Sequence, residues 1–135
     1  MTREKSIPVG QCYPWAFAAT ARLPDARLVH GRVRDPVTGK RYGHAWIEDE
    51  GQVLDWQTME IGMGPHPFVG YPVESFWDRY RPTSVQSFTI EEALAMRRVT
   101  GHCGPWTAKE RALGEYEYRR FQELLATRRR WGRRK

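Results

Sequence analysis

Two short stretches dense in turn-forming residues, Asp35-Pro-Val-Thr-Gly-Lys40 and Asp49-Glu-Gly51, constrain this chain most. They separate three runs with strand character: Ala26–Arg34, Arg41–Glu48 and Gln52–Gln57. Connections this short cannot carry a crossover, so the three runs are expected to pair antiparallel, in meander order. Ahead of them lies Trp15-Ala-Phe-Ala-Ala-Thr-Ala-Arg-Leu23, an Ala-rich stretch with Pro14 in front and Pro24 behind. Proline suits a first helical turn, where its missing N–H is no loss, so a helix is expected over Pro14–Leu23.

The remainder alternates less regularly. Residues 58–72 hold Gly62, Gly64, Gly70, Pro65, Pro67, Pro72, Met59 and Met63, and read as an irregular surface loop. Val73–Tyr80 has the pattern of a short amphipathic helix stopped by Pro82, and Val85–Phe88 reads as a last strand. Thr89-Ile-Glu-Glu92 and Thr107-Ala-Lys-Glu110 are capping-box patterns that open two C-terminal helices, the first closed by Gly101. Leu113, Tyr116, Phe121, Leu124 and Leu125 supply an apolar side for the second. The fold class expected is α+β.

At 135 residues the chain is the size of one domain, and residues 1–127 are read as one, with 128–135 as a basic tail. Six Trp, six Tyr and five Phe argue for a packed core rather than a disordered chain. The longest uninterrupted apolar run is five residues, Trp15–Ala19, far short of a membrane span. No apolar stretch follows Met-Thr-Arg-Glu-Lys-Ser at the N-terminus, so no secretory leader is expected, and the expected compartment is the cytoplasm.

The net charge of +6 is unevenly placed. Residues 1–96 carry 10 Lys/Arg against 12 Asp/Glu, whereas residues 97–135 carry 12 against 4. Arg128, Arg129, Arg130, Arg133, Arg134 and Lys135 crowd the last eight positions. Such a segment is most often solvated, and next most often contacts nucleic acid or an acidic protein. Cys12 and Cys103 are too few for a disulfide scaffold, and no C-x-x-C pair nucleates a zinc site. His102 and Cys103 invite a metal reading with Cys12 and His44, but no ligand spacing supports it. No cofactor is expected.

Three residues form a constellation with chemical meaning. Cys12 stands just ahead of the first expected helix, where the positive end of the macrodipole favours a thiolate. His44 lies mid-strand between Gly43 and Ala45, small neighbours that leave its ring approachable. If Glu50 and Gly51 form a two-residue turn, paired positions sum to 101. Trp46 then faces Asp55, and His44 faces Gln57 with Asp55 as its diagonal neighbour on the same face. A three-residue turn would send Asp55 to the opposite face, so the arrangement rests on the turn. Gln57 is the alternative partner, since an amide can also fix an imidazole tautomer. Gln11 and the backbone N–H groups after Cys12 are candidate oxyanion donors, Pro14 having none. Trp15, Trp46 and Trp56 read as core rather than as a substrate platform.

The succession Gly10-Gln11-Cys12, then Gly43-His-Ala-Trp-Ile-Glu48, then Val53-Leu-Asp55 resembles the transglutaminase-like branch of the papain-like cysteine enzymes. The resemblance spans residues 10–56. It implies a papain-like core with a Cys-bearing helix on an antiparallel sheet, with Cys12 as nucleophile, His44 as base and Asp55 as orienter. The chain also resembles small phage-encoded proteins that pair a G-H-A-W-V-E strand with a later G-H-x-G-P-W, here Gly101–Trp106. Were it phage-encoded, the expected compartment would be the host cytoplasm.

The function expected is cysteine-dependent acyl transfer on an amide or ester of a peptide, protein or small molecule, by hydrolysis or by transfer to an amine. The alternative from another class is a binding module, or a phage-encoded factor that blocks a host protein, using the basic C-terminal segment and no chemistry. The Met59–Pro72 segment, leaving the strand that carries Asp55, is expected to border the site.

Overall fold

The computed structural model describes residues 11–23, 25–55 and 70–133, without side chains from 130 onward. Helix α1 (Cys12–Thr20) leads into strands β1 (Arg27–Arg34), β2 (Arg41–Asp49) and β3 (Gln52–Leu54). Strand β4 (Tyr71–Pro72), helix α2 (Val73–Tyr80) and strand β5 (Thr83–Phe88) follow. Helices α3 (Ile90–Thr100) and α4 (Ala108–Arg133) complete the order. Among the described residues the fold is α+β, with one antiparallel sheet in the order β4-β3-β2-β1-β5 and four helices.

The meander forms as the turns dictate. Asp35 accepts backbone N–H bonds from Val37 and Thr38, which shapes the β1–β2 loop. Glu50 and Gly51 both adopt positive φ, 50° and 77°, the signature of a two-residue hairpin turn whose twist matches the strands. The β2–β3 register is therefore Ile47 opposite Leu54, Glu48 opposite Val53 and Asp49 opposite Gln52. Each pair sums to 101, as the even turn requires.

Period-two alternation divides the sheet into two faces. Val29 and Val33 of β1, Trp46 of β2 and Val53 of β3 are buried with Phe76 of α2. Tyr42, Tyr71, Trp77 and Tyr80 pack around that cluster. The opposite face carries Leu28 and His30 of β1 with Ala45 and Ile47 of β2, all buried. There the Tyr13 ring of α1 meets His30 edge-on at 4.9 Å, and His30 meets Phe88 at 5.3 Å. Gly31 lies opposite His44, and a Cβ there would come within 3.0 Å of the Trp46 ring.

Four elements differ from the sequence reading; one is β3, expected over Gln52–Gln57, which ends at Leu54 and leaves Asp55 just beyond the strand. Helix α1 begins at Cys12, not Pro14, and ends at Thr20, with Gln11 as its N-cap. A proline costs nothing anywhere in a first turn, so Pro14 could not mark the boundary by itself. Tyr71–Pro72, read as loop, pairs with Gln52 and Val53 as β4. Strand β5 runs from Thr83 and joins the sheet beside β1, a long-range pairing that no local pattern encodes. Residues 56–69, which include Trp56, Gln57 and most of the 58–72 segment, lie outside the described residues.

The chain divides at Ile90 into two compact units, the second being Glu91–Lys135. In this second unit both capping-box bonds form: Thr107 N–H donates to Glu110 at 2.9 Å, and Glu110 N–H to the Thr107 hydroxyl at 3.1 Å. His102 Nδ1 accepts the Gly104 N–H at 3.1 Å, leaving Nε2 to bond Glu110 at 2.6 Å. Trp106 donates to the Thr100 hydroxyl and the His102 carbonyl. The Gly101–Trp106 motif thus ties the end of α3 to the start of α4. Gly114 of α4 comes so close to Met96 of α3 that no Cβ fits between them. Leu113, Tyr116, Phe121 and Leu124 of α4 are 46–63% exposed, so the apolar side expected to pack is largely open. No described helix is long and apolar enough to cross a membrane.

Candidate active site

Strand β3 pairs with β2 only over Ile47–Asp49, so among the described residues no strand flanks β2 on that side near His44. Asp55 follows β3 directly and falls level with Trp46. His44 Nε2 and Asp55 Oδ1 lie 2.8 Å apart, with both side chains 2% exposed. The even turn at Glu50-Gly51 is what puts these two groups on one face.

Cys12, the first residue of α1, is buried, and its thiol acts on the His44 ring. Asp55 engages Nε2, so Nδ1 is the ring nitrogen left for the thiol. Burial alone would push the imidazole down. The hydrogen bonds to Asp55 and Cys12, with the charges of both, outweigh it and hold the His44 pKa up at about 9.

Gly43 makes the approach of α1 feasible. A Cβ at this position would lie 2.8 Å from the Tyr13 hydroxyl, closer than real contacts allow. Its absence lets Tyr13, the residue after Cys12, cross the strand next to His44. Tyr13 is itself buried, and its phenol is pushed up to about 12, first by burial and then by the Cys12 charge, with Arg32 opposing. In the first turn of α1 Pro14 has no N–H, and Trp15 N–H bonds back to the Gln11 carbonyl at 3.2 Å. The N–H groups of Cys12 and Tyr13 are therefore those of the first turn that can face a developing oxyanion. Gln11 is exposed and its side chain caps nothing.

Sequence reasoning missed the aromatic surround. Tyr42 packs edge-on to His44 at 5.7 Å, and its phenol is raised to about 12, first by burial and next by Asp55. Trp46 stacks beside His44 at 6.1 Å with the rings 25° apart. Glu48 accepts both indole N–H groups, from Trp46 at 3.2 Å and from Trp77 of α2 at 2.8 Å. Tyr42, Trp46 and Glu48 could have been placed on the His44 face by alternation alone. Tyr80, which also feels the Asp55 charge, comes from α2 and had no local signal.

Cys103 is a free, half-buried thiol in the second unit. Among the described residues no group of three His, Cys, Asp or Glu is placed to hold a metal. Trp46 is fully buried and Trp15 half-buried. Arg128 and Arg129 are exposed on α4, whose helix continues to Arg133; the side chains of Arg130 and Arg133, and all of Arg134 and Lys135, lie outside the described residues. Comparison with protein-family models, with curated proteins and with solved structures gave no match.

Proposed function

We propose that this chain is a thiol-dependent acyl-transfer enzyme on a papain-like, transglutaminase-like core, with Cys12, His44 and Asp55 as its reacting array. The observation that carries the reading is the buried 2.8 Å His44–Asp55 pair, with the buried Cys12 at the start of α1 acting on the same ring. A structural histidine needs one satisfied nitrogen and no thiol at a helix N-terminus. The order of a Cys at a helix start, a His on a strand and an Asp after the next strand supports the same reading.

The chemistry follows from these groups. A His44 imidazolium stabilises the Cys12 thiolate, as does the α1 N-terminus. The sulfur attacks the substrate carbonyl carbon, forming a C–S bond, and the oxygen charge develops toward the Cys12 and Tyr13 N–H groups. His44 gives its proton to the leaving amine or alcohol as the C–N or C–O bond breaks. The neutral imidazole then takes a proton from water or an acceptor amine, which attacks the thioester and releases the thiolate. Asp55 holds the ring tautomer and orientation throughout. The test is acylation of Cys12 by an activated aryl ester, compared between the wild-type chain and His44→Ala.

A further inference from the structure

On the sheet face that α1 crosses, the hairpin end of β1 and β2 presents three arginines. Arg32 lies opposite Gly43, and Arg34 lies directly opposite Arg41. Like charges facing each other across a strand pair are unfavourable, and ordinary sheets place an acid at one of the two positions. Here no described carboxylate forms an ion pair with Arg32, Arg34 or Arg41. Asp35, the nearest carboxylate in sequence, spends Oδ1 on the turn amides of Val37 and Thr38. Arg41 is held by the Arg81 carbonyl at 3.0 Å and the Thr83 hydroxyl at 3.3 Å, neither of which carries charge. Arg32 is exposed.

Of the three, Arg32 stands beside Tyr13, the residue next to the reacting cysteine. Tyr13 follows Cys12 and sets its hydroxyl over Gly43, the cross-strand partner of Arg32. The charges of Cys12 and Arg32 both act on that hydroxyl. Cations without an ion-pair partner close to a nucleophile raise the local concentration of anionic substrates and orient them.

We propose that Arg32, supported by Arg34 and Arg41, selects an acyl donor that carries a negative charge beside its reacting carbonyl, as a peptide with an acidic side chain next to the scissile bond does. This rests on the acyl-transfer reading of Cys12 and names its substrate class. Guanidinium groups suit the role because they stay charged at any working pH and present planar forks to an oxyanion.

Iodoacetate and iodoacetamide alkylate the same thiol and differ in one negative charge, so the ratio of their rates at Cys12 reads the local field. The full chain is treated with each reagent at about 10 mM ionic strength, where exposed charges act over tens of ångströms, and Cys12 labelling is followed by mass spectrometry. Arg32→Gln should lower the iodoacetate-to-iodoacetamide ratio about twofold, and Arg32→Gln with Arg34→Gln about threefold to fourfold, as unit charges near the thiol act in high dielectric. A change in thiol reactivity moves both rates alike and cancels in the ratio, which reads only the charge of the reagent. Salt near 0.5 M should erase the differences. An unchanged ratio in both variants overturns the proposal. So does a fall on Arg22→Gln, exposed just beyond the far end of α1 from Cys12, equal to that on Arg32→Gln, which would make the effect one of net charge. Failure of the acyl-transfer reading is separate: it would show as a His44→Ala chain whose iodoacetamide rate matches wild type, whatever the arginine variants do.

Discussion

At the scale of single residues, Gly43 and Asp55 decide whether the array exists. Gly43 is required by close approach and not by conformation, since the Tyr13 hydroxyl occupies the place of its missing Cβ. Gly43→Ala should displace Tyr13 or force it off its rotamer, destabilising the fold by about 1–3 kcal/mol and slowing Cys12 alkylation. Tyr13→Phe in the same chain removes the clashing oxygen and should restore part of both. Urea unfolding with labelling of Cys12 checks this; a Gly43→Ala chain as stable and reactive as wild type would show that α1 does not need the close crossing. That His44 and Asp55 share a face was legible in the sequence, because a period-two strand and an even turn fix faces without knowledge of the whole fold, and Cys12 was picked out by its place at the front of a helix. Gly43 was legible only as a small neighbour. That it makes room for Tyr13 depends on where a helix crosses, which tertiary packing sets.

At the scale of elements, Glu48 links β2 to α2. Its carboxylate accepts from Trp46, which stacks beside His44, and from Trp77 of the helix. Glu48→Ala would leave both indole N–H groups without this acceptor, one of them on a fully buried ring. A loss of about 1–3 kcal/mol is expected, with Glu48→Gln retaining most of it because its amide oxygen still accepts. Equilibrium unfolding of the three chains decides the point, and equal stabilities would remove Glu48 from the clamp. Helix α2 was legible to the residue, Val73–Tyr80, since amphipathic spacing and Pro82 bound it. The left-handed Arg81, φ 43°, makes the stop. The start of α1 was not legible, because Pro14 fits any of several first-turn positions. Nor was β4, whose two residues gain strand character only by lying against Gln52 and Val53.

At the scale of the molecule, two buried histidines give the first unit opposite pH responses. Burial lowers His30 to about 4, so its neutral form is the folded one. The unfolded chain takes up a proton near pH 6.5, and the folded state does so only near 4. Stability is thus present above pH 6.5 and should fall by roughly 3 kcal/mol as pH drops from 6.5 to 4. His44 is raised, to about 9, so its contribution is complete below pH 6.5 and is lost as pH climbs toward 9. Denaturation across pH should show the acid-side loss reduced in His30→Gln; an unaltered acid slope would remove His30 as its source. The sheet order beyond the meander was hidden from the sequence, because β5 joins β1 across more than fifty residues. The openness of the apolar side of α4 was hidden too, since spacing shows that a helix has such a side and not what covers it. The measurement that bears most directly on the whole account is acylation of the intact chain by an activated aryl ester, read by mass spectrometry and by release of the aryl alcohol. The account predicts a burst with the acyl group on Cys12 and not on Cys103, slowed on the order of 100-fold or more by His44→Ala, as expected for loss of a positioned acid–base. Equal labelling of Cys103, or a Cys12 acylation rate untouched by His44→Ala, would contradict it.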